Sequence, residues 1–357
     1  MSEQRVLMEK HEEAHRAILA LKDKTPTAII LNLFGKWLPQ SISKQTLFYW
    51  VLQIVLISAV IILPGSLLSL AFGEMEKWSR LIFSWTTAVG LVFFGFILAH
   101  AAFRLAFDEL ANHTVHKIAK VEDCSTLVAF CKSSASSMYA FLIAGGLLWS
   151  VWGVVSVKEF PGIGLMYMAI LAGCLVGVEF QAVFWLIALT NQLKDFQYEL
   201  NTFTPANSEV VVRLSSMLNM NIYLTGSFFV VLTLYVSFFG SQTSKAFAGP
   251  FTLLGCGIIL VQFFIHRSTI GEIVEKERWM SLNKLQLQMN TIQATEDISN
   301  KDVSERLLRL ADLHERIQGD RSEIFNFKSL LNLFSQLMLP LLGLLLGNID
   351  KVLALLR

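Results

Sequence analysis

The stretch Leu171–Leu186, LAGCLVGVEFQAVFWL, decides the fold class of this chain. It belongs to an apolar segment, 162–189, which as a helix is long enough to cross a hydrocarbon core of about 30 Å. Small residues recur at every fourth position of this segment, at Ala169, Gly173 and Gly177. Such a stripe lets two membrane helices approach closely. Glu179 points roughly opposite to the stripe, because successive helical residues are about 100° apart. The stretch predicts a membrane helix with one packing face and one charged position.

The composition of the whole chain supports the same class. Of 357 residues, 54% are hydrophobic and 16% are charged, whereas soluble domains carry about 25% charged residues. Six apolar stretches reach spanning length, at 48–72, 81–103, 137–157, 162–189, 220–240 and 247–266. A seventh, 329–346, is shorter and contains Pro340, and it either spans, dips in or lies on the surface. We predict an all-α integral membrane protein with six transmembrane helices in three hairpins and a C-terminal hydrophobic seventh segment.

The distribution of Lys and Arg predicts the orientation in the membrane. With the N-terminus inside, the inner segments 1–47, 104–136, 190–219 and 267–328 hold 23 of the 29 basic residues. The predicted domains are therefore a cytosolic amphipathic segment (1–47), a six-helix membrane domain (48–266), a cytosolic helical hairpin (267–328), and a C-terminal membrane segment with its tail (329–357). No cleavable signal peptide is expected at the start. A bacterial inner membrane or another plasma membrane fits this pattern.

Helical periodicity continues beyond the second, fourth and sixth apolar stretches. Apolar residues keep three-four spacing into the segments 104–136, 190–219 and 267–328, for example at Leu193, Phe196 and Leu200. We predict long cytosolic helical extensions that pack on each other, with surface helices at the headgroups as the alternative. In the last segment, two amphipathic helices flank the turn EDISNKD, and Asn300 or Asp302 is the expected N-cap. They favour an antiparallel pair within one subunit, with a short coiled-coil contact between subunits as the alternative.

A metal-binding pattern occurs near the start, where His11, Glu12 and His15 spell His-Glu-x-x-His. A zinc protease needs these residues on a helix in a shaped site, with a third ligand supplied from elsewhere. Here the pattern lies among charged residues, and no third-ligand motif follows it. An apolar stripe through Ala14 and Ile18 predicts instead an amphipathic helix docked on the membrane or on the cytosolic helices. We therefore predict no metal site, no cofactor and no enzymatic activity.

Glu179 is the main candidate for function, because a charge inside the membrane usually faces protein or water. Four residues at the cytosolic ends of the second and sixth helices are expected on the same side as Glu179: His100, Arg104, His266 and Arg267. A charge pair or a proton pair with Glu179 would form a cation or proton site on a conduction path. The alternative is a structural, hydrogen-bonded carboxyl. On the seventh segment, Asn332, Ser335 and Gln336 give one polar side, which favours a path lined or plugged by that segment.

These features favour some functions over others. A net charge of +1 gives no reason to expect a nucleic-acid partner, and the four cysteines lack metal-ligand spacing. The leading prediction is an oligomeric membrane channel or pore in the lipid bilayer, gated by a ligand or by pH, and most simply a homo-oligomer. The alternatives are a membrane-anchored sensor or scaffold that binds a partner through its cytosolic helices, and a secondary transporter.

In layout, the chain resembles the seven-helix insect odorant and gustatory receptor channels. The similarity lies in an inner N-terminus, three hairpins with long cytosolic extensions, and a last helix that enters the membrane from below. It covers the whole chain as topology and rests on no shared motif. The resemblance therefore implies an architecture, with a cytosolic anchor formed by the extensions, and it implies no role for individual residues.

Overall fold

The computed structural model describes residues 3–38, 47–134, 138–157, 162–201, 204–239, 248–296, 300–319 and 327–347. Within these ranges the regular structure is helical, apart from one isolated β-bridge. The α-helices are α1 (Glu3–Lys22), α2 (Pro26–Gly35), α3 (Leu47–Ala71), α4 (Met75–Glu109), α5 (Val121–Ser133), α6 (Met138–Val157), α7 (Ile163–Leu193), α8 (Glu209–Phe239), α9 (Ala248–Thr295), α10 (Lys301–Gly319) and α11 (Phe327–Gly347).

Four of the described helices, α4, α7, α8 and α9, are long and apolar enough to cross a membrane. The predicted all-helical membrane fold is confirmed at this level. The other predicted stretches also lie in helices of nearly the predicted bounds: 48–72 in α3, 137–157 in α6 and 329–346 in α11. The end of the predicted C-terminal domain, 348–357, lies outside the described residues.

Helix α7 lies at the centre of the bundle and approaches its neighbours at glycine positions. A methyl group built on Gly177 would overlap the carbonyl oxygen of Phe141 in α6, and one on Gly145 of α6 would overlap that of Gly173. Near the start of α7, a methyl group on Gly164 would overlap the carbonyl oxygen of Gly65 in α3. Because only glycine leaves room for such backbone contact, these positions fix how α6 and α3 lie against α7.

A carboxylate ties the start of α7 to the turn between α3 and α4. The backbone N–H of Ile163 donates to Oε2 of Glu74 at 2.7 Å, where a negative charge also interacts favourably with the helix N-terminus. The residue before it, Gly162, has φ of +103°, and a side chain there would also meet the Glu74 carboxylate. Glycine is therefore required at 162 for two reasons, its backbone conformation and its contact with Glu74.

Apart from the packing around the glycines of α7, a second core lies where the C-terminal parts of α4 and α7, the start of α8 and the middle of α9 meet α5 and α1. Its centre is the indole of Trp185 in α7, which packs on Phe103, Phe107 and Phe130 with ring centroids 5.3, 5.3 and 5.6 Å away. Helix α1 adds the buried residues Ala14 and Ile18 to this core. The amphipathic first helix thus docks on the helical extensions.

Two helices end differently from the prediction. Helix α4 gives way to a π-helical turn at Leu110–Thr114 and a 3-10 turn at Val115–Lys117. Helix α7 ends at Leu193, so the predicted helical continuation over 194–201 is wrong. The cause is a long-range pairing of Ile118 with Tyr198, in which Ala119 N–H donates to the Gln197 carbonyl at 2.8 Å and Glu199 N–H to that of Lys117 at 2.7 Å.

Helix α2 was not predicted as an element within the segment 1–47. Thr25 caps it by accepting a hydrogen bond from Ala28 N–H at 3.4 Å, and Pro26 occupies the first turn. This Thr-Pro pair is a helix-start signal that was available in the sequence. The amide of Gln53 in α3 donates to the Leu31 carbonyl at 3.0 Å, which joins α2 to the membrane bundle.

Outside the bundle, the end of α9 and α10 form a helical hairpin. Helix α9 runs unbroken for 48 residues, and α10 returns along its end with Val303 and Ile317 buried. Asn300 provides the predicted cap, because its Oδ1 accepts a hydrogen bond from Asp302 N–H at 3.1 Å. At the other end of the hairpin, Arg278 of α9 donates to the Ile317 carbonyl at 3.0 Å.

The glycine contacts generate a stability prediction. We expect Gly177→Ala to destabilise the bundle by about 1–3 kcal/mol, the usual cost of overpacking, because its methyl group meets the α6 backbone. The measurement is the thermal unfolding midpoint in detergent. Gly90→Ala is the matched control, since a Cβ at Gly90 of α4 meets nothing within 4 Å. Equal loss of stability in both variants would contradict the packing argument.

Candidate functional site

A cavity of about 60 Å³ lies between α4, α7, α8 and α9. Most of its wall is apolar and includes the aromatic residues Phe180, Phe228 and Phe229. Three polar side chains interrupt this wall: Glu179 on α7, and Asn221 and Thr225 on α8. In the described part of the chain, Glu179 is the only ionisable residue that lines the cavity. The cavity therefore combines a small volume, an apolar wall and one carboxyl group.

The carboxyl group of Glu179 lies against the backbone of α4. A Cβ built on Gly95 would be 2.5 Å from Glu179 Oε2 and 2.7 Å from the ring of Phe228, so glycine at position 95 makes room for both side chains. Glu179 is 8% exposed, and its Oε1 is buried without a hydrogen-bond partner. One oxygen of a carboxyl inside the membrane bundle is thus left with unused hydrogen-bonding capacity.

Asn221 faces the same cavity and also has unused capacity. It is 1% exposed, and neither atom of its side-chain amide has a hydrogen-bond partner. The neighbouring Thr225 hydroxyl donates to the backbone carbonyl of Asn221 at 3.0 Å, which leaves the hydroxyl oxygen able to accept. An unpaired buried polar group costs about 1–3 kcal/mol, so Glu179 and Asn221 are the two energetically costly positions of the cavity wall.

The residues predicted as partners of Glu179 lie elsewhere. His100 is hydrogen-bonded through Nδ1 to the Thr27 hydroxyl of α2 at 3.1 Å, and Arg104 is exposed. His266 is buried on α9 and does not line the cavity. The predicted charge pair or proton pair is therefore not formed with these residues. Asn221 of α8 lines the same cavity as Glu179.

The residues of the predicted polar side of the seventh segment differ in burial along α11. Ser335 is exposed, bonds the Tyr223 hydroxyl of α8 at 3.0 Å and donates to the Asn332 carbonyl at 2.8 Å. Gln336 is fully buried, and neither atom of its amide has a hydrogen-bond partner. At i, i+3 and i+4 spacing, Asn332, Ser335 and Gln336 share one side of α11, with Ser335 at its exposed edge and Gln336 at its buried edge.

The histidines of the His-Glu-x-x-His pattern bind backbone carbonyl groups. His11 Nε2 lies 2.8 Å from the Ile118 oxygen and His15 Nδ1 lies 2.9 Å from the Ala111 oxygen. Each of these ring nitrogens must donate, because a carbonyl oxygen accepts. Among the described residues, no group of three His, Cys, Asp or Glu side chains is placed to hold a metal ion. The two imidazoles thus bind carbonyl groups of the irregular segment that follows α4.

Comparisons with protein-family models, with curated proteins and with solved structures found no match for this chain.

The histidine contacts predict a stabilising role for the docking of α1. We expect the double variant His11→Ala, His15→Ala to loosen α1, because each lost hydrogen bond removes about 0.5–1.5 kcal/mol. Hydrogen exchange of the amides in α1 should then accelerate, while exchange in α7 stays unchanged. The control is His314→Ala on α10, which should leave α1 protected. Helix α1 is also held by buried Ile18 and by an ion pair between Lys22 and Asp108 of α4. Unchanged exchange in the double variant would show that these contacts hold α1 without the histidines.

Proposed function

We propose that the chain is a subunit of an oligomeric channel in a plasma membrane or bacterial inner membrane, with α11 lining or plugging the path. Its N-terminus is cytosolic, and α3, α4, α6, α7, α8, α9 and α11 lie in the membrane. Glu179 and its cavity belong to the part of the subunit that controls the path. The observation that supports this proposal is that α11 packs beside α8 and runs in the same direction.

Helix α11 runs beside α8 in the same direction. Ser335 meets Tyr223, and Gly343, two turns later, lies against Val230, with a Cβ on Gly343 only 2.9 Å from the Val230 oxygen. Between these two contacts, Leu339 lies beside Gly226. Since residue numbers rise together in both helices, the 21 residues of α11 stand along the bundle. A helix in this position is well placed to enter the membrane with its neighbours.

The outer side of α11 is suited to contact other subunits. Six large apolar residues are exposed along it: Leu330, Leu331, Phe334, Leu342, Leu345 and Leu346. Exposed Ser335 and half-buried Asn332 lie among them. Around a symmetry axis, the apolar residues would pack on neighbouring copies of α11 and the polar residues would face the path.

The inner side of α11 packs on α9 through an interface that contains buried polar groups without hydrogen-bond partners. Leu333 and Leu337 contact Ile259 and Phe263, and Gln336 lies between these two leucines in sequence. Two residues on the same face of α9, Gln262 and His266, also have an unpartnered side-chain atom, Oε1 and Nδ1 respectively. Because unpaired buried polar atoms weaken packing, the interface between α11 and α9 is weaker than a fully apolar one, which suits a gate.

A conductance measurement with cysteine labelling tests the path. Protein reconstituted in planar bilayers should conduct ions, and a charged thiol reagent should block the current of Ser335→Cys or Asn332→Cys. Leu337→Cys, which faces α9, is the matched control and should be unaffected. Absence of conductance across a range of voltage and pH, with folded protein in the bilayer, would rule out the channel.

Only some of the native cysteines would react in this labelling experiment. Burial raises the pKa of Cys131 to about 12, and burial together with the Asp123 carboxylate raises that of Cys124 to about 11. Both thiols in α5 therefore stay protonated and unreactive near neutral pH. Only Cys174 and Cys256, which are partly exposed, need replacement by Ala before labelling.

Because the side-chain amide of Gln336 has no hydrogen-bond partner, we predict that replacing it changes gating. Gln336→Leu replaces an unpaired buried amide by an apolar side chain of similar size, and should stabilise the packing of α11 by about 1–3 kcal/mol. We expect a higher unfolding temperature and a lower open probability in single-channel recordings. Leu333→Met, which keeps the volume and the apolar character, should change neither quantity appreciably. A lower unfolding temperature in Gln336→Leu would contradict this view of the interface.

A second candidate function follows from the hairpin of α9 and α10. Trp279, Leu287 and Leu308 are 58%, 68% and 67% exposed there, in a region predicted to face water. Such residues fit a scaffold that binds a cytosolic protein. A chain that does not conduct, together with a partner whose binding is lost in Leu308→Asp, would favour the scaffold over the channel.

A further inference from the structure

We infer that the hairpin of α9 and α10 carries both halves of a contact between copies of this chain. The first half is a ridge on α10, formed by Glu305, Leu308, Asp312 and Glu315. The second half is a groove between α9 and α10, whose lining includes Leu287, Arg306 and Arg309. The ridge of one copy lies in the groove of the next copy. The contact rests on the homo-oligomer of the proposed function, and it names cytosolic surfaces that hold neighbouring subunits together.

The groove is large enough to receive side chains of another helix. Its volume is about 520 Å³, and clefts that bind other molecules usually measure roughly 300–1,000 Å³. Leu287, Ile292 and Leu310 give it an apolar lining, Arg306 and Arg309 line it from α10, and its two remaining lining residues are uncharged. Leu287 is 68% exposed, so a large apolar side chain of the groove is open to water.

The charge of the groove is positive and only partly balanced within the chain. Arg306 forms an ion pair with Glu296 at 3.5 Å, and its side chain remains 61% exposed. In the described part of the chain, Arg309 forms no ion pair. An exposed ion pair contributes little to stability, and guanidinium groups bind carboxylates well. Both arginines are therefore available to carboxylates of another chain.

The ridge has the complementary pattern. Its four residues follow one another at intervals of three, four and three positions, which places them on one face of α10. All four are exposed, and Leu308 is 67% exposed. Asp312 pairs with Arg316 at 2.9 Å, whereas Glu305 and Glu315 form no ion pair with other described residues. The ridge therefore presents a large apolar side chain among carboxylates.

The distance from the membrane favours protein over lipid as the occupant of the groove. The predicted sixth membrane stretch ends at residue 266, and α9 continues unbroken to Thr295. Leu287 lies about 20 residues beyond Arg267, which corresponds to roughly 30 Å along the helix. Lipid tails therefore do not reach this leucine in the proposed topology. The ridge is a protein surface of matching charge that every copy of the chain supplies.

The directions of the two surfaces determine the kind of contact. At 100° per residue, the centre of the ridge lies roughly 130° around α10 from the residues that line the groove. Each copy therefore offers its ridge to one neighbour and its groove to another, and such a head-to-tail contact closes into a ring where the rotation permits. A two-fold contact between ridges would instead bring carboxylates against carboxylates. In the head-to-tail contact, Leu308 of one copy lies beside Leu287 of the next.

Disulfide cross-linking of the full chain in lipid nanodiscs tests the contact. Leu287→Cys and Leu308→Cys are made in separate chains that lack Cys174 and Cys256, and the two chains are coexpressed and mildly oxidised. The pair should give a cross-linked dimer, whereas either variant alone should stay monomeric on a denaturing gel. Trp279→Cys with Leu308→Cys is the matched control and should not cross-link, since Trp279 is 58% exposed on the same hairpin but does not line the groove.

Two results of this experiment would overturn the inference. One is a folded pair of Leu287→Cys and Leu308→Cys chains that does not cross-link. The other is a Leu308→Cys chain that cross-links to itself as readily as to Leu287→Cys, because this would show ridges in contact with ridges.

Charge reversal tests the same contact without added thiols. The groove variant Arg306→Glu, Arg309→Glu and the ridge variant Glu305→Arg, Glu315→Arg should each assemble about tenfold more weakly, because like charges then meet. The measurement is the oligomer mass in mild detergent over a range of protein concentration. Coexpression of the two variants should restore assembly, since the reversed ridge of one chain meets the reversed groove of the other. Unchanged assembly in both variants, or weak assembly without rescue, would refute the contact.

Assembly and conduction fail separately in these experiments. A chain that cross-links through its hairpin and carries no current retains the contact and loses the channel. A chain that conducts, and whose hairpins neither cross-link nor respond to charge reversal, retains the channel and loses the contact. A monomeric chain whose groove binds a different protein would also overturn the inference.

Discussion

The close approach of α7 to its neighbours is the constraint on which the rest of the structure depends. Because Gly173 and Gly177 meet the backbone of α6, α7 cannot rotate without driving a side chain into a carbonyl group. Fixing that face also fixes the opposite one, and Glu179 is thereby turned toward Gly95 of α4. The position of the one carboxyl group in the cavity is thus set by residues that carry no charge. The same logic recurs at α11, where Gly343 sets the distance to α8.

The second core shows how the chain satisfies backbone groups where its long helices end. Helix α4 passes through a π-helical and a 3-10 turn, and the carbonyl groups of Ala111 and Ile118 there accept hydrogen bonds from His15 and His11. An i, i+4 pair of imidazoles on α1 is well suited to this task, because both rings project from one helix face. The spacing that defines a zinc motif is therefore equally useful for docking one helix on the end of another.

The sequence predicted the elements better than it predicted their partners. Apolar runs located α3, α6 and α11 within a few residues, since a segment that crosses lipid must be a continuous helix, and the small residues of α7 were visible as a period of four. Helix α8 begins at Glu209, 11 residues before the predicted start at 220. The end of α7 at Leu193 was not predictable, because it depends on Tyr198 pairing with Ile118 some 80 positions away. The partners of Glu179 were missed for a related reason. Ala99 of α4 lines the cavity. His100 is the next residue, and the rotation of about 100° between successive helical residues directs its side chain toward Thr27 instead.

Helix α9 gives the molecule a mechanical link between its two ends. Ile258 of α9 is part of the cavity wall, and the same unbroken helix of 48 residues carries α10 at its far end. At a rise of 1.5 Å per residue, it measures roughly 72 Å. A rod of that length converts a small tilt at the cavity into a displacement several times larger at the hairpin. Leu308, which is exposed on α10, therefore lies at the long arm of a lever whose short arm borders the cavity of the buried carboxyl group.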